Sequence, residues 1–121
     1  MNNFHNKKIG KIGEDIASKY LEKRGYFILE RNFREKTGEI DIIAKQKKLI
    51  VFVEVKTRLN TKYGFPSEAV NTTKKRKIQR TSLIYLYKRG FRNVQTRYDI
   101  IEIIIEKEKF YRINHIRNML F

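Results

Sequence analysis

The chain has 121 residues, with 28 Lys or Arg against 13 Asp or Glu, a formal charge of +15 and a pI near 10.1. That length fits one domain covering residues 1–121 and is too short for two. Cysteine is absent and the only histidines are His5 and His115, which excludes disulfides, thiolate metal sites and Cys nucleophiles, and leaves Mg²⁺ or Mn²⁺ as the metals such a chain would hold.

With 40% apolar residues, seven Tyr and eight Phe, the chain can build a core despite its charge. Met1–Lys11 is polar and basic, so a secretory signal is not expected. No apolar run approaches the roughly 20 residues that cross a bilayer. A cytoplasmic location without membrane contact is the expectation.

Ile9, Ile12, Ile16 and Tyr20 recur at helical spacing and predict a helix from about Lys8 to Arg24, stopped by Gly25. Tyr26–Arg31 reads as a short strand and Asn32–Thr37 as a polar connection. Glu39–Lys45 and Leu49–Thr57, rich in Ile and Val, flank a turn at Gln46–Lys48 and predict a β-hairpin. Arg58–Ser67, with Asn60, Gly64 and the single proline Pro66, reads as a loop. A second helix is predicted from Glu68 or Asn71 to Lys88, capped by Ser67 or Asn71 and ended by Gly90. Arg97–Glu106 and Phe110–His115 read as strands. The order α-β-β-β-α-β-β predicts an α/β (α+β) fold, a mixed sheet flanked by helices.

Two charges interrupt the apolar run Ile50–Val55, in Val53-Glu54-Val55-Lys56. An acid two places ahead of a lysine means little alone, and an edge strand with one wet face and a surface ion pair would explain it. Strand alternation puts Glu54 and Lys56 on the face of Ile50 and Phe52, opposite Val51, Val53 and Val55. Asp41, between Ile40, Ile42 and Ile43, is a second acid inside an apolar run. An even hairpin loop, expected to hold four residues, pairs Asp41 with Phe52, diagonal to Glu54, and puts Glu39 opposite Glu54. Acids that close repel unless a cation or proton lies between them. In the first helix Glu14 lies at the edge of the apolar arc, beside the small residues Gly10, Gly13 and Ala17, while Asp15 points outward. Alone, Glu14 reads as a solvated carboxylate.

These residues resemble the PD-(D/E)XK nuclease superfamily: Asp41, then Glu54-Val55-Lys56 across a hairpin, with Glu14 in a preceding helix. Archaeal Holliday-junction resolvases are its closest members by this spacing. Gly13-Glu14, Arg31-Asn32-Phe33-Arg34, Gly38-Glu39-Ile40-Asp41 and Phe52-Val53-Glu54-Val55-Lys56-Thr57-Arg58 look like the small bacterial YraN family. The likeness covers nearly the whole chain, including the His115-Ile116 ending. Ile40 stands where the superfamily name has proline, a position at which the resolvases also vary. The resemblance implies that Asp41 and Glu54 hold one or two Mg²⁺ or Mn²⁺ ions with the main-chain carbonyl of Val55, and that Glu14 ligates directly or through water. It implies that Lys56 positions or deprotonates the attacking water. Glu39 is a neighbour to which it assigns no role.

So basic a domain expects a polyanion. Lys74 and Lys77 share an arc of the second helix with Val70, Thr81, Ile84 and Tyr85, which suits either phosphate contact over the cleft or snorkelling from a frayed turn. Arg58, Lys62, Tyr63 and Phe65 mix cations with aromatics, as stacking on unpaired bases requires, and Phe65 is equally suited to plug the core. Arg31 and Arg34 approach the site or screen it. Asp99 is expected to make a structural hydrogen bond, His5 and His115 to be incidental, and Tyr85 and Tyr87 to pack. The expected function is metal-dependent phosphodiester hydrolysis in DNA, branched or damaged included. The alternative is a non-catalytic module binding DNA or structured RNA. Resolvase-like nucleases often act as dimers, so a homodimer is the form the resemblance suggests.

Overall fold

Two identical helix stops frame the architecture. In the computed structural model, which describes residues 3–59, 72–107 and 110–118, helix α1 runs Asn3–Lys23 and helix α2 Thr72–Arg89. After α1, the Tyr26 N–H donates to Leu21 O and the Gly25 N–H to Glu22 O, both at 3.0 Å. After α2, Phe91 N–H and Gly90 N–H repeat the arrangement on Leu86 O and Tyr87 O. Both glycines have positive φ, 88° and 71°, which only glycine adopts without strain, so each closes a Schellman motif. α1 begins before the expected Lys8. The expected caps Ser67 and Asn71, and most of the loop before α2, lie outside the described residues.

The strands are β1 (Phe27–Glu35), β2 (Gly38–Gln46), β3 (Leu49–Arg58), β4 (Gln95–Lys107) and β5 (Phe110–Ile116). They form one sheet in the order β1-β2-β3-β4-β5. β3 and β4 are parallel, joined across α2, and the other neighbours are antiparallel. The expected order α-β-β-β-α-β-β and the mixed sheet are therefore present. Several boundaries differ, and two of them bear on the site. Asn32–Glu35, read as a connection, is strand, because Phe33 is buried opposite Ile40. The β2–β3 turn holds only Lys47 and Lys48, with Gln46 opposite Leu49. Lys47 takes a positive φ of 55°, which lets two residues close the hairpin. The loop is even as expected, but shorter, so Ile43 and not Asp41 lies opposite Phe52.

Apolar side chains cover both faces. Ala17 and Leu21 of α1 pack with Ile42, Val51, Val53 and Ile101. Phe33, Ile43, Ile50 and Phe52 pack against Tyr85 of α2, and Ile78 packs on Ile100. The predicted alternation along β3 is thus observed, with Ile50 and Phe52 on the α2 face and Val51 and Val53 on the α1 face. Tyr85 is buried among rings, whereas Tyr87 is exposed and does not pack as expected. No helix among the described residues is long and apolar enough to cross a membrane.

One polar network is buried with the core. Asp99 is fully buried and accepts from Arg97 Nε at 2.9 Å, His115 Nε2 at 2.7 Å and the Asn118 N–H at 2.9 Å. Arg97 Nη2 also donates to Tyr26 Oη, and Tyr20 Oη bonds His115 Nδ1. Burial alone would raise the Asp99 pKa, but His115, Arg97 and the Asn118 amide together hold it below the usual value. The structural bond expected of Asp99 is present. His115 is not incidental: it sits on β5 opposite Ile101 and ties β5 to β4 and α1.

Helix α1 lies against β3 at Gly13, where a Cβ would lie 1.8 Å from Thr57 Oγ1 and 2.9 Å from Thr57 Cβ. Rotating Thr57 cannot remove the second contact. Helix propensity favours Gly13→Ala by up to about 1 kcal/mol, whereas the overlap costs more. Urea unfolding should find the variant less stable by about 2 kcal/mol, with part of the loss recovered by Thr57→Ala.

Candidate active site

Asp41 sits where the hairpin ladder runs out. The pairing of β2 with β3 is registered as far as Ile42 opposite Val53, and beyond it Asp41 Oδ2 accepts the Val55 N–H at 2.8 Å. The carboxylate ties β2 to β3 by a side chain instead of main-chain bonds. On the face of Phe52, Glu54 Oε1 receives Lys56 Nζ at 3.2 Å and also pairs with Lys74 Nζ from α2. Glu54 Oε2 is buried and has no hydrogen-bond partner among the described residues. Asp41, Glu54, Lys74 and Lys77 line one cavity of about 270 Å³, with Ile78 as part of its wall.

The electrostatics follow from this crowding. Burial pushes the Asp41 carboxyl up to about 7; the Val55 amide opposes the rise, and the negative charges of Glu14, Glu54 and Glu39 add to it. Lys56 is held below its usual range, first by burial and then by the Lys74 ammonium, with Glu54 opposing. For Lys74 burial pulls downward, but Glu54 and Lys56 outweigh it and the net direction is up.

The other expected residues divide. Glu14 is held by Arg31 at 3.5 Å, and Arg31 also pairs with Asp15 at 2.8 Å, so Asp15 is not simply turned to solvent. Glu39 pairs with Arg34 at 3.3 Å and stands opposite it across β1 and β2. It does not face Glu54 as a four-residue loop would require, because the shorter turn shifts the register by two residues. Glu39 nevertheless lines the cavity with Asp41 and Glu54, as expected of a site neighbour. Arg31 and Arg34 engage Glu14, Asp15 and Glu39 along an adjoining groove of about 540 Å³ that also includes Lys7 and Lys11. Lys62 and Tyr63 lie outside the described residues. Among the described residues, no three of the acidic or histidine side chains gather closely enough to form a metal cluster by themselves.

Glu102 was missed. It neighbours Lys56 across the parallel β3–β4 ladder, is 3% exposed, and lies 3.7 Å from Arg58 Nε. Its signal is the one that marked Asp41 and Glu54, an acid inside an apolar run, here Ile100–Ile104. Lys7 and Lys11 carried no comparable signal, since a basic residue on a solvated helix is ordinary in so basic a chain.

The chain is similar over residues 13–103 to the model of the uncharacterised protein family UPF0102. A UPF0102 protein of Caldanaerobacter subterraneus subsp. tengcongensis is 48% identical over 120 residues, 98% of each chain. One from Clostridium botulinum strain 657 is 50% identical over 117 residues, 95% of each chain. One from Alkaliphilus metalliredigens is 47% identical over 112 residues, 93% of this chain and 96% of its own.

A carboxyl raised in the folded state favours folding while it stays protonated. The contribution of Asp41 is complete below the unfolded value of 3.8 and disappears as pH rises through about 7. Asp41→Asn keeps an acceptor for Val55 but has no charge to bury. Urea unfolding across this interval should show the parent losing stability relative to the variant, by at most about 1.4 kcal/mol per pH unit. Parallel pH profiles would contradict the electrostatic account.

Proposed function

The chain belongs to the UPF0102 family, and we propose that it is a Mg²⁺- or Mn²⁺-dependent nuclease of the PD-(D/E)XK type, akin to the YraN proteins, hydrolysing phosphodiester bonds in DNA, branched or damaged DNA included. The observation that carries this reading is one cavity bounded by Asp41 and Glu54 from adjacent strands and by Lys74 and Lys77 from α2. Acids that repel phosphate have no use in a surface built only to bind it. A cytoplasmic location and action as a homodimer belong to the same proposal.

The donor set suits a hard dication. Its atoms are carboxylate oxygens, Glu54 Oε2 is buried without a hydrogen bond among the described residues, and burial, with the charges of Glu14, Glu54 and Glu39 adding to it, raises the Asp41 pKa. Asp41 and Glu54 would hold the ion, with Glu14 and the Val55 carbonyl as further donors. When bound, it would supply charge stabilisation at the phosphate and an acidified water.

The chain's own groups do the rest. The Val55 N–H fixes the Asp41 carboxylate in place. Lys56, held below its usual pKa, is suited to orient the attacking water and to exchange a proton at Nζ. Lys74 and Lys77 draw the strand into the cavity by pairing with phosphates, and Arg58 extends the cationic wall.

A second reading is a DNA- or RNA-binding module without hydrolysis. It is favoured by the two ammonium groups on Glu54 Oε1 and by the lack of a three-acid cluster among the described residues. Cleavage of branched and linear DNA with Mg²⁺ or Mn²⁺ separates the two. Asp41→Asn and Glu54→Gln should each reduce cutting by at least about 100-fold, the scale on which loss of electrostatic stabilisation acts, while changing DNA affinity little. Parent protein that binds with a steep salt dependence and never cuts would establish the second reading.

A further inference from the structure

The acid pair in the cavity carries its own cation. Lys74 reaches from the first turn of α2 across to Glu54 Oε1, the oxygen that Lys56 also contacts. The Asp41 charge acts on Lys74 as well. An ammonium at this point does for the carboxylates what a bound dication would do, and the two compete for the same oxygen. The first turn of α2 contains no acidic residue, so Lys74 feels the positive end of the helix dipole while it is held by Glu54. An anion arriving at that turn would find both a lysine and the dipole in its favour.

We propose that Lys74 is a displaceable counter-ion, so that a phosphate of the substrate drawing Lys74 off Glu54 and a divalent ion binding at Asp41 and Glu54 each strengthen the other. The inference rests on the nuclease reading for the identity of the anion, but not on catalysis. Without phosphate the ammonium neutralises Glu54 and the site takes up metal weakly. With phosphate, the lysine changes partner and Glu54 is left with Lys56 as its one ammonium neighbour among the described ion pairs. Because the coupling is an equilibrium property, metal must tighten phosphate binding by the same factor that phosphate tightens metal binding. The site would then load its metal mainly on substrate.

The test is Mn²⁺ binding, read from the electron paramagnetic resonance of free Mn²⁺ and corrected for Mn²⁺ bound by the probe alone. The probe is a phosphorothioate dinucleotide that resists hydrolysis. Lys74→Met, which keeps an apolar stem, should bind Mn²⁺ about tenfold more tightly than the parent without the probe. Lys19→Met, which removes one charge from an exposed site on α1, should change it less than about twofold, so that net charge alone is excluded. Adding the dinucleotide should raise the Mn²⁺ affinity of the parent several-fold and that of Lys74→Met by much less. Circular dichroism and urea unfolding establish that the variants are folded, and Lys74→Gln provides a second neutral side chain should Lys74→Met fold poorly. Equal or weaker Mn²⁺ binding in the folded Lys74 variants overturns the proposal, as does equal enhancement by the dinucleotide in parent and variant. Failure to cut DNA while this coupling is observed would sink the nuclease reading alone. Cutting by a parent whose Mn²⁺ affinity ignores Lys74 would sink the counter-ion alone.

Discussion

A single hydrogen bond, from the Val55 amide to the Asp41 carboxylate, decides how the two central strands meet at the cavity. Below it the hairpin is an ordinary antiparallel ladder. At it, a side chain takes the amide, and a carboxylate is thereby fixed inside the sheet instead of at its rim. A charged acceptor binds an amide more strongly than a neutral carbonyl does, which offsets part of the cost of burying the carboxylate. Everything else at the site is placed relative to that point. Glu54 lies one residue before Val55 and Lys56 one after, and strand alternation sends both toward α2.

The two helices bring opposite contributions to this junction. α1 lies close on β3 because Gly13 has no side chain, and that proximity lets the Glu14 charge act on Asp41. α2 supplies lysines to the same cavity. In a chain with a net charge of +15, four of the acids, Glu14, Asp41, Glu54 and Glu102, lie where burial makes them expensive. Arg31, Lys56, Lys74 and Arg58 each answer one or more of them. The site is a local concentration of acids in a basic molecule, balanced by cations at its border.

What could be read from the amino acids was what depends on neighbours in the chain. The alternation of Ile50–Lys56 assigned faces correctly because a strand's period is fixed by its own backbone. The glycines at 25 and 90 marked both helix ends because positive φ is a local demand. The hairpin turn is not fixed by the sequence pattern because loops of two and four residues preserve the same parity, so the same side chains share a face while their partners differ by two residues. Contacts between distant segments were out of reach. His115 and Asp99 meet only through the β4–β5 pairing, and Lys74 meets Glu54 only once the crossover helix has docked. Glu102 was legible on the same grounds as Asp41 and Glu54, an acid embedded among isoleucines.

The parallel join between β3 and β4 has a kinetic meaning. The first three strands form a meander whose turns are two residues each, so they can assemble through short loop closures. β4 must wait for the crossover through α2, a much longer closure that is won back only when the whole strand zips beside β3. During that wait the half-formed protein already holds its two central carboxylates together, yet has neither the helix lysine that balances them nor the strand that covers Lys56. Electrostatic repulsion therefore disfavours the meander as a resting intermediate, and docking of the crossover helix relieves it.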